Sequence, residues 1–596
     1  MDKMFNPKSI AVIGASETPG KVGYTLMKNL EEFDGIVVPV NPKGEYKSIK
    51  DYGYVDLVIL AIPARFVIPV LHECGELGIK NVVSITAGFK EEGNIELEEE
   101  LIRVCEQYDI TLIGPNVVGI MNYHNKMNDT FVGMPGDKGG VSFFSQSGAV
   151  IATVLDLGRD LGFSKVISLG NKAVVDETDI LEYLGDDPET EVIIGYIEGI
   201  NDGKRFMEVA KKVTQNKPVI LIKSGRTSKG GAAAASHTGT IAGNDTAYEV
   251  ALKQSGIIRV HSMKDLLNYA KAFAKTTGKI PVKNTVGIIT NGGGAGIMTT
   301  DDAVDMGLNV IETRDIIGTA TPKEYGEALQ EFADNEEIHS ILLIGCPQSL
   351  YKYEDIIKEA EKVVTYKPIV LSIPGDTKFP NFVFPEDAMK TLNALHTYAT
   401  IKTSQKEATY PILNDIETPR IYNKIEDIIT YPVVMKIESK TITHKKDVGG
   451  VILNIRNETE ARYAYDKIMR IPGAEGVLIQ EMLLDGVEVI VGFIKDPVFG
   501  AQVMVGTGGS NVELYKDIAF AIEPETYEEA HDLLRQTKVY KLLKGYRGSP
   551  RLHIPSVLNA ILKMTEIART TDLKEYEINP LIVYEYRAVA VDIRSK

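Results

Sequence analysis

His237 stands in a run of glycine, alanine, serine and threonine that extends from Lys223 to Gly243, directly after the apolar segment 218–222. Residues this small allow the backbone many conformations and bury little apolar surface in a hydrophobic core. An imidazole displayed on such a segment is available to a ligand and can act as a nucleophile or a proton carrier. The alternative is an ordinary glycine-rich turn with an incidental surface histidine.

A second group of candidate residues forms a glycine-rich turn after the apolar segment 10–13. Glycines in such a turn let the backbone approach a phosphate, and the N-terminus of the following helix favours the phosphate charge. The signal is weak by itself, and a structural turn without any ligand is the alternative. The turn residues that we expect to contact a ligand are Gly14, Ala15, Ser16 and Lys21.

The end of the second predicted strand argues against a nicotinamide dinucleotide as that ligand. Dinucleotide sites place an aspartate or glutamate there for the ribose hydroxyls, whereas this chain has Asn41 and Lys43. A lysine at this position suits a phosphorylated ribose, as in coenzyme A (CoA). Ligands of open α/β sheets lie at the carboxyl ends of the strands. The further CoA contacts that we expect there are Ile62, Pro63, Gly88 and Asn116.

Two more strand ends carry groups that suit phosphoryl transfer. Ser145, Ser147 and Gly148 follow an apolar run, and backbone N–H groups at a helix start there can hold an anion. The alternative is a plain helix N-cap by one of the serines. Glu198 ends another apolar run, where a carboxylate can hydrogen-bond an imidazole and fix its tautomer. For Glu198 the alternative is a solvated strand end.

Several of these segments resemble one family. Lys223-Ser-Gly-Arg226 followed by Ser236-His237-Thr-Gly239 resembles the phosphohistidine loop of the nucleoside-diphosphate-forming acyl-CoA synthetases, which are relatives of succinyl-CoA synthetase. The resemblance implies that His237 takes a phosphoryl group from ATP and passes it to a carboxylic acid. It implies that Glu198 orients His237, and that the polar stretch 168–179 shapes the acid pocket.

The C-terminal part of the chain resembles the compact ATP-grasp domain of the same family. The order of its elements is the specific signal, since a lone Lys or Glu on a strand is commonly a surface charge. The resemblance assigns the contacts with ATP or ADP to Lys436, Glu481 and Glu488. It assigns the Mg²⁺ ligands to Asn579 and Asp592, whose oxygens suit a hard cation that bridges phosphates.

The segment 439–450 resembles the family's His-Lys-Ser-Asp-x-Gly-Gly motif and contains His444. The matching histidine has been proposed as a second phosphoryl carrier, which is sensible if the ATP and CoA sites lie far apart. The alternative is that His444 only contacts the nucleotide phosphates.

Alternating apolar strands and helical segments predict a multidomain α/β protein. Residues 1–125 form a predicted CoA-binding Rossmann-like domain, and 126–278 a flavodoxin-like, succinyl-CoA ligase-like domain with the phosphohistidine loop. Residues 279–402 form a second flavodoxin-like domain, and 403–596 a shortened ATP-grasp domain. In the last two domains we expect strands at 285–290, 340–344, 368–372, 433–437, 476–481, 488–494 and 588–592.

The composition predicts a soluble, cytoplasmic enzyme. The chain has 596 residues, which is too long for a single core, and its 44% hydrophobic and 25% charged residues are typical of globular proteins. A net charge of -17 argues against a nucleic-acid partner. No apolar run reaches membrane-spanning length, and the widely spaced cysteines fit reduced structural thiols.

We therefore predict a single-chain, ADP-forming acyl-CoA synthetase that joins acetate or another small carboxylic acid to CoA with ATP and Mg²⁺, and that forms a homodimer. The alternative is a non-synthetase CoA- and nucleotide-binding scaffold or sensor related to protein acyltransferases. The chain is shorter than the usual fused members: a helical insertion near 307–321 is missing and the segment 410–431 is trimmed. This shortening keeps the sensor alternative open.

Overall fold

The computed structural model describes residues 1–227, 229, 244–276, 278–403, 413–442, 445, 447–509 and 516–596. The chain divides into two compact units, Met1–Gln405 and Lys406–Lys596. The first unit contains three sheets built mainly of parallel strands, and the second contains two antiparallel sheets. Among the described helices, none is long and apolar enough to cross a membrane.

The first sheet has five parallel strands in the order β2-β1-β3-β4-β5. These strands are short apolar runs because helices cover both faces of the sheet. The strands are β1 (Ser9–Ile13), β2 (Ile36–Val40), β3 (Leu57–Leu60), β4 (Asn81–Ser84) and β5 (Thr111–Ile113). The helices are α1 (Asp2–Phe5), α2 (Val22–Asn29), α3 (Ile49–Tyr52), α4 (Val67–Glu76) and α5 (Ile95–Tyr108), with 3₁₀ turns at Ala64–Phe66 and Lys90–Glu92.

The second sheet has seven strands in the order β12-β11-β10-β8-β9-β6-β7, and its antiparallel pairings among the described strands are those of β6 with β7 and with β9. Its strands are β6 (Ile120–Asn122), β7 (Met127–Asn128), β8 (Lys138–Ser145), β9 (Phe163–Ser168), β10 (Val192–Ile197), β11 (Val219–Lys223) and β12 (Ile258–Val260). Its described helices are α6 (Gly148–Leu157), α7 (Glu177–Asp186), α8 (Gly203–Thr214), α9 (Asp245–Gln254) and α10 (Met263–Lys275). Helices are numbered here through the described residues only.

The third sheet has four parallel strands in the order β14-β13-β15-β16 and shares a hydrophobic core with the second. Helix α14 packs on α10, where the rings of Phe273 and Tyr398 meet edge to face with centroids 5.5 Å apart. The strands are β13 (Thr285–Thr290), β14 (Asn309–Asp315), β15 (Ser340–Ile344) and β16 (Ile369–Ser372). The helices are α11 (Gly293–Asp305), α12 (Pro322–Asp334), α13 (Tyr353–Ala360) and α14 (Pro385–Thr403). Residues 307–321 contain β14 and a short connection, with no helix.

In the second unit, a four-stranded sheet of order β17-β20-β18-β19 accompanies a six-stranded sheet of order β23-β22-β21-β24-β25, with β26 also paired to β24. The strands are β17 (Ile421–Tyr422), β18 (Val433–Glu438), β19 (Val451–Ile455), β20 (Gly476–Glu481), β21 (Val487–Asp496), β22 (Gly500–Thr507), β23 (Ile518–Ile522), β24 (Glu575–Val583), β25 (Ala588–Ala590) and β26 (Ile593–Ser595). The described helices are α15 (Glu458–Met469), α16 (Tyr527–Arg535), α17 (Val539–Leu543) and α18 (Ile554–Thr570), with a 3₁₀ turn at Ile425–Asp427. The predicted strand 588–592 is shorter than expected, because β25 ends at Ala590.

Candidate active site

The turn between β1 and α2 is closely packed at Gly14, which has no room for a side chain. Gly14 has a φ of +97°, and a Cβ atom there would lie 2.3 Å from the carbonyl oxygen of Ala61. A Cβ atom at Gly23, inside α2, would lie 2.0 Å from the carbonyl oxygen of Gly14. The Gly14 N–H donates to the Val40 carbonyl oxygen at 2.9 Å, which ties the turn to β2. The start of α2, where Lys21 is the N-cap residue, is therefore held close to the end of β1.

Asn41 joins this turn to the end of β2. Its amide nitrogen donates to the Ala15 carbonyl oxygen at 2.6 Å, and its side-chain oxygen accepts from the Lys43 N–H at 2.9 Å. Ser16 lies in the same turn, and the Lys43 side chain is exposed. The structure thus brings these four predicted CoA contacts to one edge of the first sheet.

The ends of β3, β4 and β5 meet at the same edge. The Thr86 hydroxyl donates to the Ile62 carbonyl oxygen at 2.8 Å, and the Thr86 carbonyl oxygen accepts from the Asn116 N–H at 2.9 Å. Pro63 is exposed beside Ile62, and Gly88 has a φ of +107° that favours glycine. All of the predicted CoA contacts outside the turn therefore lie along the carboxyl ends of the strands.

At the end of β8, the start of α6 lacks a side-chain cap. Ser147 is the N-cap residue, but its side chain makes no capping hydrogen bond. Instead the Ser145 hydroxyl accepts from the Ser147 N–H at 3.0 Å and donates to the Ser147 carbonyl oxygen at 2.8 Å. Neither serine therefore caps the first-turn N–H groups of α6, and those from Gly148 onwards can face an anion.

Glu198 directly follows β10, and Gln146 holds its backbone. The Gln146 side-chain oxygen accepts from the N–H groups of Glu198 and Gly199, the second at 3.2 Å. The Gln146 amide nitrogen donates to the Gly199 carbonyl oxygen at 2.9 Å. Burial raises the pKa of Tyr196, and the Glu198 carboxylate beside it raises this pKa further. Glu198 is thus fixed next to the strand end from which α6 starts.

The segment that carries His237 leaves β11 beside Glu198. The Ser224 N–H donates to the carbonyl oxygen of Ile197, the residue before Glu198, at 3.0 Å. Lys223 is buried with its ammonium 4.3 Å from the centroid of the Tyr248 ring, and burial lowers the pKa of Lys223 to about 8. His237 itself lies outside the described residues.

A small cavity lies between the loops of the first sheet and those of the second. It has a volume of about 180 Å³, and polar residues of both sheets form its wall. Asn116 and Lys90 contribute from the first sheet, and Gln146, Asn171 and Lys172 from the second. Asn171 and Lys172 belong to the stretch 168–179, which the family resemblance assigned as a whole to the acid pocket.

In the second unit, Lys436 bridges the two sheets. Its ammonium, on β18, donates to the Val591 carbonyl oxygen at 2.9 Å, next to Asp592. The Asn579 N–H donates to the Asp592 carbonyl oxygen at 2.9 Å, and the Asn579 side-chain oxygen accepts from the Gly509 N–H at 2.8 Å. Gly509 ends the segment 506–509, of sequence Gly-Thr-Gly-Gly, which we call the glycine loop. Lys436, Asn579, Asp592 and the glycine loop therefore meet at one place.

The two predicted glutamates occupy different positions. The Glu488 carboxylate lies against Gly509, since a Cβ atom at Gly509 would be 1.8 Å from Glu488 Oε2. Glu481 is the last residue of β20, and its N–H donates to the Arg420 carbonyl oxygen at 2.9 Å. His444 lies outside the described residues. Within the described ranges, no group of three or more His, Cys, Asp or Glu side chains could hold a metal ion.

Comparison with known proteins matches this layout to three family models. A CoA binding domain matches residues 8–123, a succinyl-CoA ligase like flavodoxin domain matches 138–273, and an ATP-grasp domain matches 414–596. The chain is also 35% identical to acetate–CoA ligase [ADP-forming] I of Archaeoglobus fulgidus, over 100% of this chain and 99% of the relative. The chain belongs to the family of the ADP-forming acyl-CoA synthetases.

Relatives of this chain within the family are named for different acids. One is 4-hydroxybutyrate–CoA ligase [ADP-forming] of Nitrosopumilus maritimus, 33% identical over 98% of this chain and 97% of the relative. The alignment with the A. fulgidus synthetase runs over 691 residue positions, which is more than the 596 residues of this chain. The alignment therefore contains at least 95 positions at which this chain has no residue.

A solved structure supports the fold of the first unit of this synthetase. The dinucleotide-forming acetyl-coenzyme A synthetase 1 of Ca. Korarchaeum cryptofilum, in complex with phosphate and ADP, matches with a TM-score of 0.64 and 33% identity. The match covers 67% of this chain and 97% of that chain. The prediction of CoA-binding, flavodoxin-like and ATP-grasp folds is confirmed.

Sequence reasoning gave no individual role to Gln146, Lys172 or Glu177. Gln146 lies between the two serines that the strand end singled out, and the other two lie in the polar stretch 168–179. Asp176 accepts hydrogen bonds from the N–H groups of Thr178 and Asp179 and so caps α7. That Asp-x-x-Asp pattern marks a helix start and is the signal that places Glu177 near the strand ends.

Proposed function

We propose that this synthetase catalyses acid + CoA + ATP ⇌ acyl-CoA + ADP + phosphate through a phosphohistidine at His237. The hydrogen bond from Ser224 to Ile197 carries the proposal, because it places the start of the His237 segment beside Glu198. The uncapped start of α6 lies at the end of the neighbouring strand β8. A carboxylate and a helix N-terminus are the partners that an imidazole nucleophile and a transferred phosphoryl group require.

The proposed chemistry has three balanced steps. The imidazole nitrogen of His237 attacks the γ-phosphorus of ATP, and ADP leaves. The carboxylate of the acid then attacks the phosphorus of the phosphohistidine, which releases His237 and forms an acyl phosphate. The thiolate of CoA attacks the acyl carbon, and phosphate leaves. Splitting the reaction through a covalent intermediate replaces one difficult step with easier ones.

In this scheme Glu198 accepts a hydrogen bond from the His237 ring, fixes the reacting tautomer and stabilises positive charge on the ring. The N–H groups at the start of α6 stabilise the phosphoryl charge. CoA binds along the carboxyl ends of the first sheet, with Lys43 against its ribose phosphate.

ATP binds in the second unit, where we assign its phosphates to Lys436 and the glycine loop at Gly509. Glu481 and Glu488 complete this proposed nucleotide site. The side-chain oxygens of Asn579 and Asp592 are hard donors, which suit Mg²⁺, and a backbone hydrogen bond joins the two residues. When bound, Mg²⁺ neutralises charge on the phosphate oxygens. His444 either carries the phosphoryl group between sites or only contacts the nucleotide.

A small carboxylic acid is the proposed co-substrate, with acetate as the first candidate. The cavity between the first two sheets supports a compact acid, because its volume is about 180 Å³. Relatives named for acetate and 4-hydroxybutyrate are similarly related to this chain. We also propose a homodimer, which light scattering coupled to gel filtration would test against a monomer.

Product analysis tests the proposed reaction. The protein is incubated with ATP, Mg²⁺, CoA and either acetate or 4-hydroxybutyrate, and the nucleotides and thioesters are separated. We expect ADP, phosphate and acyl-CoA in equal amounts, and none of these products with the His237→Ala variant. AMP and pyrophosphate as products, or normal turnover by the variant, would refute the proposal. ATP and CoA binding without turnover on any acid would favour the sensor alternative.

A further inference from the structure

Two buried lysines hold the two ends of helix α7. Lys165, on β9, contacts the Asp187 carboxylate at 2.7 Å, just past the end of the helix. Lys172, in the loop after β9, contacts the carboxylate of Glu177, the first residue of the helix, at 2.7 Å. All four side chains are buried. The two ion pairs are therefore similar in chemistry and burial but lie at opposite ends of α7.

Only the pair at the start of α7 contacts the segment that begins at Glu198. The Lys172 ammonium also donates to the Gly199 carbonyl oxygen at 2.9 Å. The other carboxylate oxygen of Glu177 accepts from the Asn201 N–H at 3.0 Å. The Lys165 ammonium instead makes its second ionic contact with the Glu189 carboxylate at 2.8 Å.

Gln146 completes the contacts on the same backbone. Its side-chain oxygen accepts from Glu198 and Gly199, while its amide donates to the Gly199 carbonyl oxygen and, at 3.4 Å, to Glu177. Gln146, Lys172 and Glu177, which we call the anchor cluster, thus bond to every residue from 198 to 201 except Ile200. The Ile200 N–H is held in turn by the Tyr248 hydroxyl at 3.1 Å.

An anchor of this kind costs free energy to bury. Removing two charges from water is expensive, and a hydrophobic replacement of a buried ion pair is often as stable. Gln146 bonds to the backbone of Glu198, the residue that we assign to orient His237, and Lys172 and Glu177 bond to the backbone of the residues after it, Gly199 and Asn201. Small misplacements of a reacting group lower rates steeply, so a rigid backbone at Glu198 has a direct kinetic value.

We propose that Lys172, Gln146 and Glu177 are positioning residues for phosphoryl transfer, which act by fixing Glu198 against the His237 segment. The proposal rests on the proposed function, because it needs a phosphohistidine at His237. The matched pair of Lys165 and Asp187, at the other end of α7, has no such role in this proposal.

The test compares Lys172→Met with Lys165→Met, since each variant breaks one buried ion pair of α7. The rate of phosphorylation is measured with γ-labelled ATP, and again with labelled phosphate and acetyl-CoA. We expect Lys172→Met to slow labelling of His237 at least about tenfold from both donors, with unchanged KM for ATP and CoA. Lys165→Met should label at the wild-type rate, although both variants melt at lower temperature.

Two more variants separate positioning from folding. Lys172→Arg keeps a buried cation and should recover part of the labelling rate, whereas Gln146→Glu keeps the size of the side chain but cannot donate to Gly199 and should slow labelling. Equal labelling by the Lys172→Met and Lys165→Met variants, or a loss that follows melting temperature across all four variants, would overturn the proposal. If the wild-type protein is not labelled at His237, the proposed function itself fails, and the anchor-cluster proposal fails with it.

Discussion

Ser224 donates its backbone N–H to the carbonyl oxygen of Ile197 at 3.0 Å, so that the His237 segment leaves β11 beside the residue that follows Ile197, Glu198. This bond extends the parallel pairing of β10 and β11 by one step past the strands. A segment rich in small residues thereby starts at a fixed point, next to a carboxylate whose backbone is held by Gln146. The described start of the His237 segment is therefore fixed beside the backbone of Glu198.

The ribose phosphate of CoA should depend on Lys43. We expect Lys43→Ala to raise the KM for CoA about tenfold, because a charge-assisted hydrogen bond to phosphate is worth about 1.5–3 kcal/mol. The KM for 3′-dephospho-CoA should not change. Lys47→Ala is the control, since Lys47 is an exposed lysine of the same loop. An equal rise for both forms of CoA would place the phosphate elsewhere.

Close packing at Gly14 should be essential for CoA binding. A Gly14→Ala variant places its Cβ 2.3 Å from the Ala61 carbonyl oxygen and must push the turn apart. Gly20→Ala is a matched control, because Gly20 also has a positive φ, of +86°, but no atom within 4 Å of the added Cβ. Calorimetric titration with CoA should show loss of binding only for Gly14→Ala. Loss in both variants would show that backbone strain alone, and not the clash, controls the site.

Lys436 should serve only the ATP half of the reaction. A Lys436→Met variant loses the cation that we assign to the ATP phosphates, so labelling of His237 from γ-labelled ATP should fall at least about a hundredfold. Labelling from acetyl-CoA and labelled phosphate should persist, because it uses the first unit. Equal loss from both donors would contradict the division of the reaction between the two units.

His396 should make the first unit sensitive to acid. Burial against Ser340, whose hydroxyl lies 2.8 Å from the ring, lowers the pKa of His396 from 6.5 to about 4. Between these values the unfolded chain binds a proton that the folded chain does not, so stability falls as the pH falls from 6.5 towards 4. The full loss is about 3 kcal/mol.

Calorimetry at neutral pH and at about pH 5 measures this effect. A His396→Leu variant should lose less of its melting temperature on acidification than the wild-type protein. His261→Leu, which changes an exposed histidine, should behave like wild type. The same pH dependence in all three proteins would show that other groups cause the acid sensitivity.

The strands that the sequence predicted best are the ones buried on both faces. All four residues of β3 are buried, and such a continuous apolar run can be recognised as a strand without knowing which strand pairs with it. β14 was missed because it is an edge strand of sequence Asn-Val-Ile-Glu-Thr-Arg-Asp in which no residue is fully buried, and its pairing with β13 defines it. β22 was missed because Gly500, Gln502 and Gly506 interrupt its apolar pattern, although Gln502 is buried.

Site residues at strand ends were also predictable, since parallel strands bring their carboxyl ends to one edge. Asn41 and Glu198 lie at the strand ends that the sequence predicted for them, directly after β2 and β10, although the role of Glu198 came from the family resemblance. Lys172 and Glu177 were not predicted, because their ion pair joins a loop to a helix start and depends on how α7 returns to the sheet. The predicted strand 588–592 extends too far for a similar reason: β25 ends at Ala590, and β26 then pairs with a different part of β24.

The most direct test of the account is the labelling of His237. The protein is incubated with γ-labelled ATP and Mg²⁺, without CoA or acid, and the label is located on the protein. We predict an acid-labile, base-stable label that ADP removes and that His237→Ala abolishes. A protein that binds ATP but takes no label, or a label that remains in His237→Ala, would contradict the phosphohistidine route.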